Sequence, residues 1–572
     1  MLLLGLLLVS TPRIERITVH TNRQSYLQPT LPVEWYVLNN TKGTGSVTVI
    51  LNHTRAQSTI FLIRADDCID LFTINGVIVE KNQCSYGVRK NYNLQPYLVD
   101  GLNTMTFNLH NVIADRMGVD LMASPTGDRL GILARIFLLI LILWISIVLL
   151  REKISKDPWL TGVFLSGCIV RIAYTGATWF NLRSYDADAH LDYIRFLATS
   201  WSLPPASGWE LHQPPLYYLL PALLLRLSRA AGWSDTTTFT LVQQGSLFLS
   251  ICTMLLGIWI GTLLFSGPRK RAELIAFCAL VTTLPGLAML SSRISNDVLI
   301  TPLLMLGMGL LITYWQRGSQ ESWYNMSVVL GLGFLTKLTS LVLLPPMLIA
   351  LIARRSLPPR LTRQHLLASC LVLLALISPL LIGRLLQNER DTRNFLALGN
   401  SHGIDGRLKL DRDPKRFLVF NPIEIIRHPF NAPWGTEERR QYYPEYLFRS
   451  AFFGEFSRYS FATNALGTPI LLFATILLLW LLWGFEQDIG KRPFASLPLW
   501  ATAITVIGAA ITYAVLFPNA PAQDFRFSPL LGVLGAYYIA IGIGDSSRVL
   551  RTVGLLLVGI VSVLCSIFLL GQ

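Results

Sequence analysis

Apolar residues in this chain gather in long unbroken runs instead of alternating with polar ones. Each run is about 20 residues, enough for a helix to cross roughly 30 Å of hydrocarbon at about 1.5 Å per residue. The run from Ile132 to Leu150 has no charge after Arg135. Inside a bilayer the backbone must satisfy itself as a helix or a closed barrel, and continuous runs fit the helix. One stretch departs from this pattern. From about Pro12 to Ser124, short alternating segments such as Ser46-Val-Thr-Val-Ile-Leu are separated by turn signals, Asn75-Gly76 and Asp100-Gly101 among them. That alternation predicts an all-β sandwich. The predicted organisation is an apolar stub or partial first span over 1–11, an extracytoplasmic β-sandwich over 12–124 and an α-helical polytopic membrane domain over 130–572.

Basic residues thread the spans, because short cytoplasmic loops collect Lys and Arg. Leu130 to Leu150 is followed by Arg151, Lys153 and Lys156, which puts the β region outside. Leu160 to Phe180 then returns outward. Phe239 to Phe265 ends at Arg269, Lys270 and Arg271, another cytoplasmic mark. The intervening Leu216 to Leu227 cannot also cross, and is expected to lie along the outer interface. Residues 181–238 then form one outer loop and 387–463 a second. The whole threading gives about 12 spans, or 13 with the stub, and no internal repeat is visible.

Composition agrees. Hydrophobic residues make up 52% of the chain and charged residues 14%, against about 25% charged in soluble domains. The net charge of +14 falls largely in short loops, so it reads as topology signalling and not as a nucleic-acid surface. Five of the seven cysteines sit in apolar runs; Cys68 and Cys84 share the β region. Outside the cytoplasm those two can pair as a disulfide or remain thiols.

Polar groups near membrane depth are costly and therefore candidates for function. They collect at the outer ends of the threaded helices: Asp186, Asp188, His190, Glu210 and His212 in the first loop, then Arg293, Asn296 and Asp297 in a turn, Lys337 between two short spans, and Gln523 to Arg526 in the last outer turn. Glu455 in the second loop is a supporting candidate. A carboxylate can take a proton from an attacking acceptor, and cations can hold a departing phosphate. Blander readings stand beside this one. Asp186 to His190 could simply cap a helix, Arg293 and Asp297 could pair at a span end, and Lys337 could snorkel to water. Tyr217, Tyr218 and Trp233 read as an interfacial aromatic belt.

Asp186, Asp188, Ala189-His190 and then His212-Gln-Pro-Pro-Leu-Tyr-Tyr218 resemble the first outer loop of the GT-C integral membrane glycosyltransferases, in particular the protein O-mannosyltransferase and lipid A aminoarabinose transferase branch. Ser292-Arg-Ile-Ser-Asn-Asp297 resembles that branch's S-R-x-x-x-x-D turn with one residue fewer. Gly331-Leu-Gly-Phe-Leu-Thr-Lys-Leu-Thr339 resembles its G-L-x-x-L-T-K-x-T segment, and Arg526-Phe-Ser-Pro529 its late R-Y/F-x-x-P turn. The likeness runs in order from about Leu160 to the C-terminus. In the β region, Asp66-Asp-Cys-Ile-Asp-Leu-Phe-Thr-Ile-Asn-Gly76 and the stretch from Tyr97 to Phe107 resemble galactose-binding-like jelly rolls.

The resemblance implies transfer of a sugar from a polyprenyl-phosphate donor to a glycan, lipid or protein acceptor, with inversion, at the outer face of the plasma (inner) membrane. Asp186 matches the family's base; Asp188 departs from the usual D-E pair, leaving open which acid acts. His190, Glu210 and His212 would position the acceptor or bind a divalent metal ion. Arg293, Lys337 and Arg526 would bind the donor phosphate, with Asn296 and Asp297 in support. The alternatives are a transporter or flippase for lipid-linked sugars, which calls for an internal repeat and midplane polar residues, and a non-catalytic glycan-binding membrane protein. The threading predicts that a tag within 387–463 is reached by impermeant reagents from outside the cell; labelling only after the cytoplasm is opened would overturn it.

Overall fold

The structure is a computed structural model. It describes residues 12–21, 25–28, 33–36, 43–54, 57, 59–65, 68–84, 89–110, 116–123, 157–178, 180, 186–205, 210–230, 235–355, 357–386, 406–432, 439–454 and 461–571. The stub at 1–11, the expected first span Leu130 to Leu150, Trp233 and Glu455 lie outside the described residues. The chain divides into two compact units, one carrying the β-strands and one carrying the described candidate residues.

The first unit holds β1 (Arg13–Thr21), β2 (Ser25–Gln28), β3 (Val33–Tyr36), β4 (Thr44–His53), β5 (Ile60–Ala65), β6 (Cys68–Ile74), β7 (Val77–Cys84), β8 (Arg89–Asn93), β9 (Gly101–His110) and β10 (Arg116–Ala123). They form a six-stranded sheet in the order β2-β1-β4-β9-β6-β7 and a four-stranded sheet in the order β3-β10-β5-β8. Every pairing is antiparallel. Because side chains alternate along a strand, Val47, Val49 and Leu51 of β4 and Met105, Phe107 and Leu109 of β9 all enter one core. Phe72 stacks on Phe107 with ring centroids 4.4 Å apart.

Two turn motifs lock each other. Asn75 and Gly76 have φ of 52° and 81°, both in the left-handed region that a two-residue primed hairpin requires. Asn103, fully buried, accepts from the Val99 amide at 2.8 Å and from Asn75 Nδ2 at 2.9 Å, and donates to the Val99 and Gly101 carbonyls. Asn75 in turn accepts from the Thr104 amide. Cys68 and Cys84 face each other across β6 and β7 and form a disulfide.

The second unit is helical. Its elements, some of which begin in the first unit, are α1 (Pro158–Ala177), α2 (Ala187–Ser200), α3 (Leu216–Ala230), α4 (Asp235–Leu264), α5 (Arg271–Thr283), α6 (Asp297–Arg317), α7 (Gln320–Thr336), α8 (Leu344–Arg354), α9 (Arg363–Leu386), α10 (Tyr443–Phe453), α11 (Phe461–Lys491), α12 (Leu497–Leu516), α13 (Leu530–Gly544) and α14 (Arg548–Leu570), with single-turn pieces between. Seven helices among the described residues are long and apolar enough to cross a membrane. An eighth span results if α5 and its continuation Pro285–Ser292, bent by 55°, count as one. The chain is thus a multi-pass membrane protein with an N-terminal β region. At 15 residues, α3 spans about 22 Å, less than the roughly 30 Å of hydrocarbon. Where α11 meets α13, a Cβ on Gly484 would stand 1.8 Å from the Tyr538 carbonyl and one on Gly542 2.1 Å from the Trp480 carbonyl. Close backbone approach of this kind is what glycine permits between apolar helices.

Four arginines perform one task in this unit. The last carbonyls of a helix have no partner within it, and the helix dipole makes that end negative. Arg171 donates to the Thr282 carbonyl at 2.8 Å in the last turn of α5. Arg354 donates to Trp315 at the end of α6, Arg416 to Ala514 at the end of α12, and Arg551 to Gly544 at the end of α13. Part of the positive charge read as topology signalling therefore also caps helices.

Replacing Asn103 by Ala strips the buried turn of its shared partner and leaves amide and carbonyl groups unsatisfied, at a cost of about 2–4 kcal/mol. Limited proteolysis of the full-length protein is expected to cleave the β region of Asn103→Ala at a lower denaturant concentration than wild type. Unchanged resistance would refute the locked-turn account.

Candidate functional site

The site assembles where helices break. Leu284 ends α5 and Pro285 starts a bent continuation, which Thr175 braces through Ser291 at 2.9 Å and Arg171 through Thr282. The chain then turns through the buried, extended Arg293 into Asp297, the first residue of α6. A carboxylate is favoured there by the helix dipole. A second break follows α7: Lys337 takes an extended conformation between α7 and the 3-10 turn Leu338–Leu343. Its ammonium meets Asp297 Oδ1 at 2.5 Å, and both side chains are buried.

The third part is the turn between α12 and α13. The Asn519 side chain caps the 3-10 turn Ala520–Gln523, and Asp524 caps Phe525–Phe527 by accepting from the Arg526 amide at 2.7 Å. The segment 439–454 holds this turn from one side: Gln523 donates to the Arg440 carbonyl at 2.7 Å, and the Phe525 amide donates to Ser450 Oγ at 2.9 Å. Arg526 is fixed as a result, and its guanidinium reaches Asp186 Oδ2 at 3.2 Å. Burial lifts the Asp524 carboxyl above the usual carboxylate range, against the pull of Arg526 and Arg293.

The first loop supplies the rest. Asp186 precedes α2 in the left-handed region, φ 56° and ψ 25°, and its side chain makes no capping bond to the helix. Asp tolerates this region better than most residues, and the conformation sends the carboxylate to Arg526. Glu210 is also left-handed, with φ 56°, where a longer side chain is less at ease. Gln213 joins the parts: its Nε2 donates to Glu210 Oε2 at 2.9 Å and lies 3.3 Å from His212 Nε2, while its Oε1 accepts from Asn296 at 3.1 Å. Asn296 also donates to the Thr336 carbonyl beside Lys337. His190 is buried with Nδ1 2.8 Å from the Tyr218 hydroxyl, and Tyr193 stacks on Tyr218 at 3.9 Å.

Asp186, His190, Glu210, His212, Asn296, Asp297, Lys337 and Arg526 thus belong to one linked cluster of contacts. Arg293 stands within electrostatic reach of Asp524, and Asp188 is half-buried in the first turn of α2. Three simpler readings are corrected. Asp186 does not cap its helix. Lys337 is buried on Asp297 and does not snorkel. Tyr217 and Tyr218 are buried and form no interfacial belt. Sequence reasoning missed Gln213, Tyr218 and Phe527 as parts of this cluster. Gln213 and Phe527 stand inside quoted motifs, but nothing in a linear pattern marks what an amide or a ring touches.

Among the described residues, the only group of three or more His, Cys, Asp or Glu side chains at chelating distance is Cys68, Cys84 and His110, and its two sulfurs are joined in the disulfide. Among the described residues, His190, Glu210 and His212 do not form such a group.

Residues 212–382 match the family described as dolichyl-phosphate-mannose-protein mannosyltransferase. The match takes in His212, Arg293, Asn296, Asp297 and Lys337, and the resemblance to integral membrane mannosyltransferases holds over that stretch. A comparison with curated proteins found no match. Among solved structures, the chain is similar to the oligosaccharyltransferase of Archaeoglobus fulgidus, at 12% identity and a TM-score of 0.42, over 73% of this chain and 56% of that one. It is similar to the arabinosyltransferase EmbB of Mycobacterium smegmatis at 10% and 0.37, over 96% and 52%. It is also similar to ArnT of Cupriavidus metallidurans bound to undecaprenyl phosphate, at 12% and 0.33, over 68% and 78%. The chain spans little more than half the length of the first two.

Burial disfavours the charged ring of His190 and pushes its pKa below the ordinary histidine value. The unfolded chain takes up this proton below about pH 6.5 and the folded chain resists it, so folded stability is lost as pH falls through that value. The thermal unfolding temperature is expected to drop between about pH 7 and about pH 5, with a shallower drop in His190→Gln. Equal slopes would show that His190 is not the group responsible.

Proposed function

We propose that this protein is a glycosyltransferase that takes its sugar from a polyprenyl-phosphate carrier. The observation that carries the reading is the double ion pair: Asp186 on Arg526 and Asp297 on Lys337, drawn from four separate segments into one cluster. The mannosyltransferase family match over 212–382 supports the reaction class.

The chemistry follows from these groups. An acceptor hydroxyl or amine gives its proton to the Asp186 carboxylate as its oxygen or nitrogen attacks the anomeric carbon. The bond from that carbon to the phosphate oxygen breaks, and the phosphate leaves with the bonding electrons. Lys337 and Arg526, with Arg293 near, offset its growing negative charge. Attack opposite the leaving group inverts the anomeric centre. A phosphate that reaches Arg526 competes with Asp186 for it. Donor binding would thereby free the Asp186 carboxylate to meet the acceptor. Gln213 and Asn296 hold Glu210 and His212 toward the acceptor, which is a glycan, lipid or protein group.

The Cys68–Cys84 disulfide supports an oxidising compartment for the β region. With the basic loops, it favours a plasma-membrane protein whose β region and site face outward.

The test is transfer by purified protein from a panel of polyprenyl-phosphate sugars to envelope extract, read by mass spectrometry. Asp186→Asn is expected to lose about 10²–10⁴-fold in rate. Asn also accepts the left-handed conformation but gives up the ion pair with Arg526, so the unfolding temperature is measured beside the rate to separate loss of the base from loss of fold. Full activity in the variant would remove Asp186 as the base, and no transfer by wild type across the panel would remove the reading itself.

A further inference from the structure

Two cations of the site lie over the ring of Phe527. Lys337 Nζ is 4.8 Å from the centre of that ring, and the Arg526 guanidinium carbon is 4.9 Å from the same point. Both distances are inside the roughly 6 Å over which an aromatic face attracts a cation. The two charges arrive on unrelated elements, one at the break after α7 and one in the turn before α13. We propose that Phe527 is a positioning residue whose ring holds Lys337 and Arg526 together as the receptor for the donor phosphate. This inference rests on the glycosyltransferase reading and deepens it.

The argument turns on what happens when the acids let go. Each cation is paired here with a carboxylate, Asp297 or Asp186. A phosphate competes with those carboxylates for both cations. During the exchange the two positive charges, each within 4.9 Å of one centroid, repel each other. The face of an aromatic ring is negative and attracts both cations whichever anion they hold. Phe527 therefore supplies a constant partner while the anionic partners change. The ring is itself well held. It closes the Asp524-capped turn that Ser450 and the Arg440 carbonyl anchor, and Tyr513 lies 5.5 Å from it. A leucine could fill the same space, but it could not offer a negative face.

The experiment varies the face and keeps the shape. Phenylalanines carrying one, two or three ring fluorines are placed at 527 of the full-length protein in nanodiscs, beside Phe527→Leu, and undecaprenyl phosphate is titrated into each. Fluorination withdraws the negative charge of the face with little change in volume, so folding is preserved, and unfolding temperatures check this. We expect the Kd for undecaprenyl phosphate to weaken stepwise with each fluorine, reaching roughly ten-fold with three. Phe527→Leu should match the trifluoro variant. In transfer assays KM for the donor should rise with the same order, while kcat moves less. A flat series in which wild type binds the lipid would overturn the role of Phe527 and leave the glycosyltransferase reading standing. Failure of wild type to bind undecaprenyl phosphate or any other polyprenyl phosphate would overturn both.

Discussion

Hydrocarbon offers no hydrogen-bond partners, and every polar group at membrane depth must find one within the protein. The helical unit is organised by that constraint. Its breaks release carbonyls and amides, and its arginines take up the carbonyls. Arg171 is the clearest instance. It is fully buried inside a span, and donates to the end of α5, to Ser250 of α4 and to its own helix. The break at Leu284 and Pro285 can persist in an apolar setting because its free carbonyl has a cationic donor.

The same constraint shapes the site. Three interruptions, after α5, after α7 and between α12 and α13, each bring backbone and charge to one region. Left alone, a buried lysine or carboxylate would be expelled or neutralised. Paired as Lys337 with Asp297 and Arg526 with Asp186, the charges can remain. A span-end ion pair that served structure alone would need neither the relay through Gln213 nor two left-handed acidic residues.

The β region solves a different problem, since its alternating strands pack two faces together in the ordinary way. Its stability rests on Phe72, Phe107 and their neighbours, and its topology on Asn75 and Asn103, which tie two turns distant in sequence. The disulfide lies across the edge hairpin of the larger sheet, where covalent closure limits opening of a strand with one free side.

Much of this was legible in the residues. Period and length separated the β region from the helices. The acids and cations of the cluster were identified as costly in an apolar chain, because cost alone marks them. Partnership was not legible. Whether Asp297 meets Arg293 or Lys337 depends on where a helix breaks and which way the next turn points. Asp186 faces Arg526 because of a single left-handed residue. Phe527 and Tyr218 stood inside quoted motifs but their contacts were not legible, since aromatics are common in membrane chains and their roles are set by what they face. Sequence by itself determined which groups could not be left unpartnered, because transfer energy belongs to a residue. Only the tertiary structure decided who partners whom, because that depends on distances between segments brought together by helix packing.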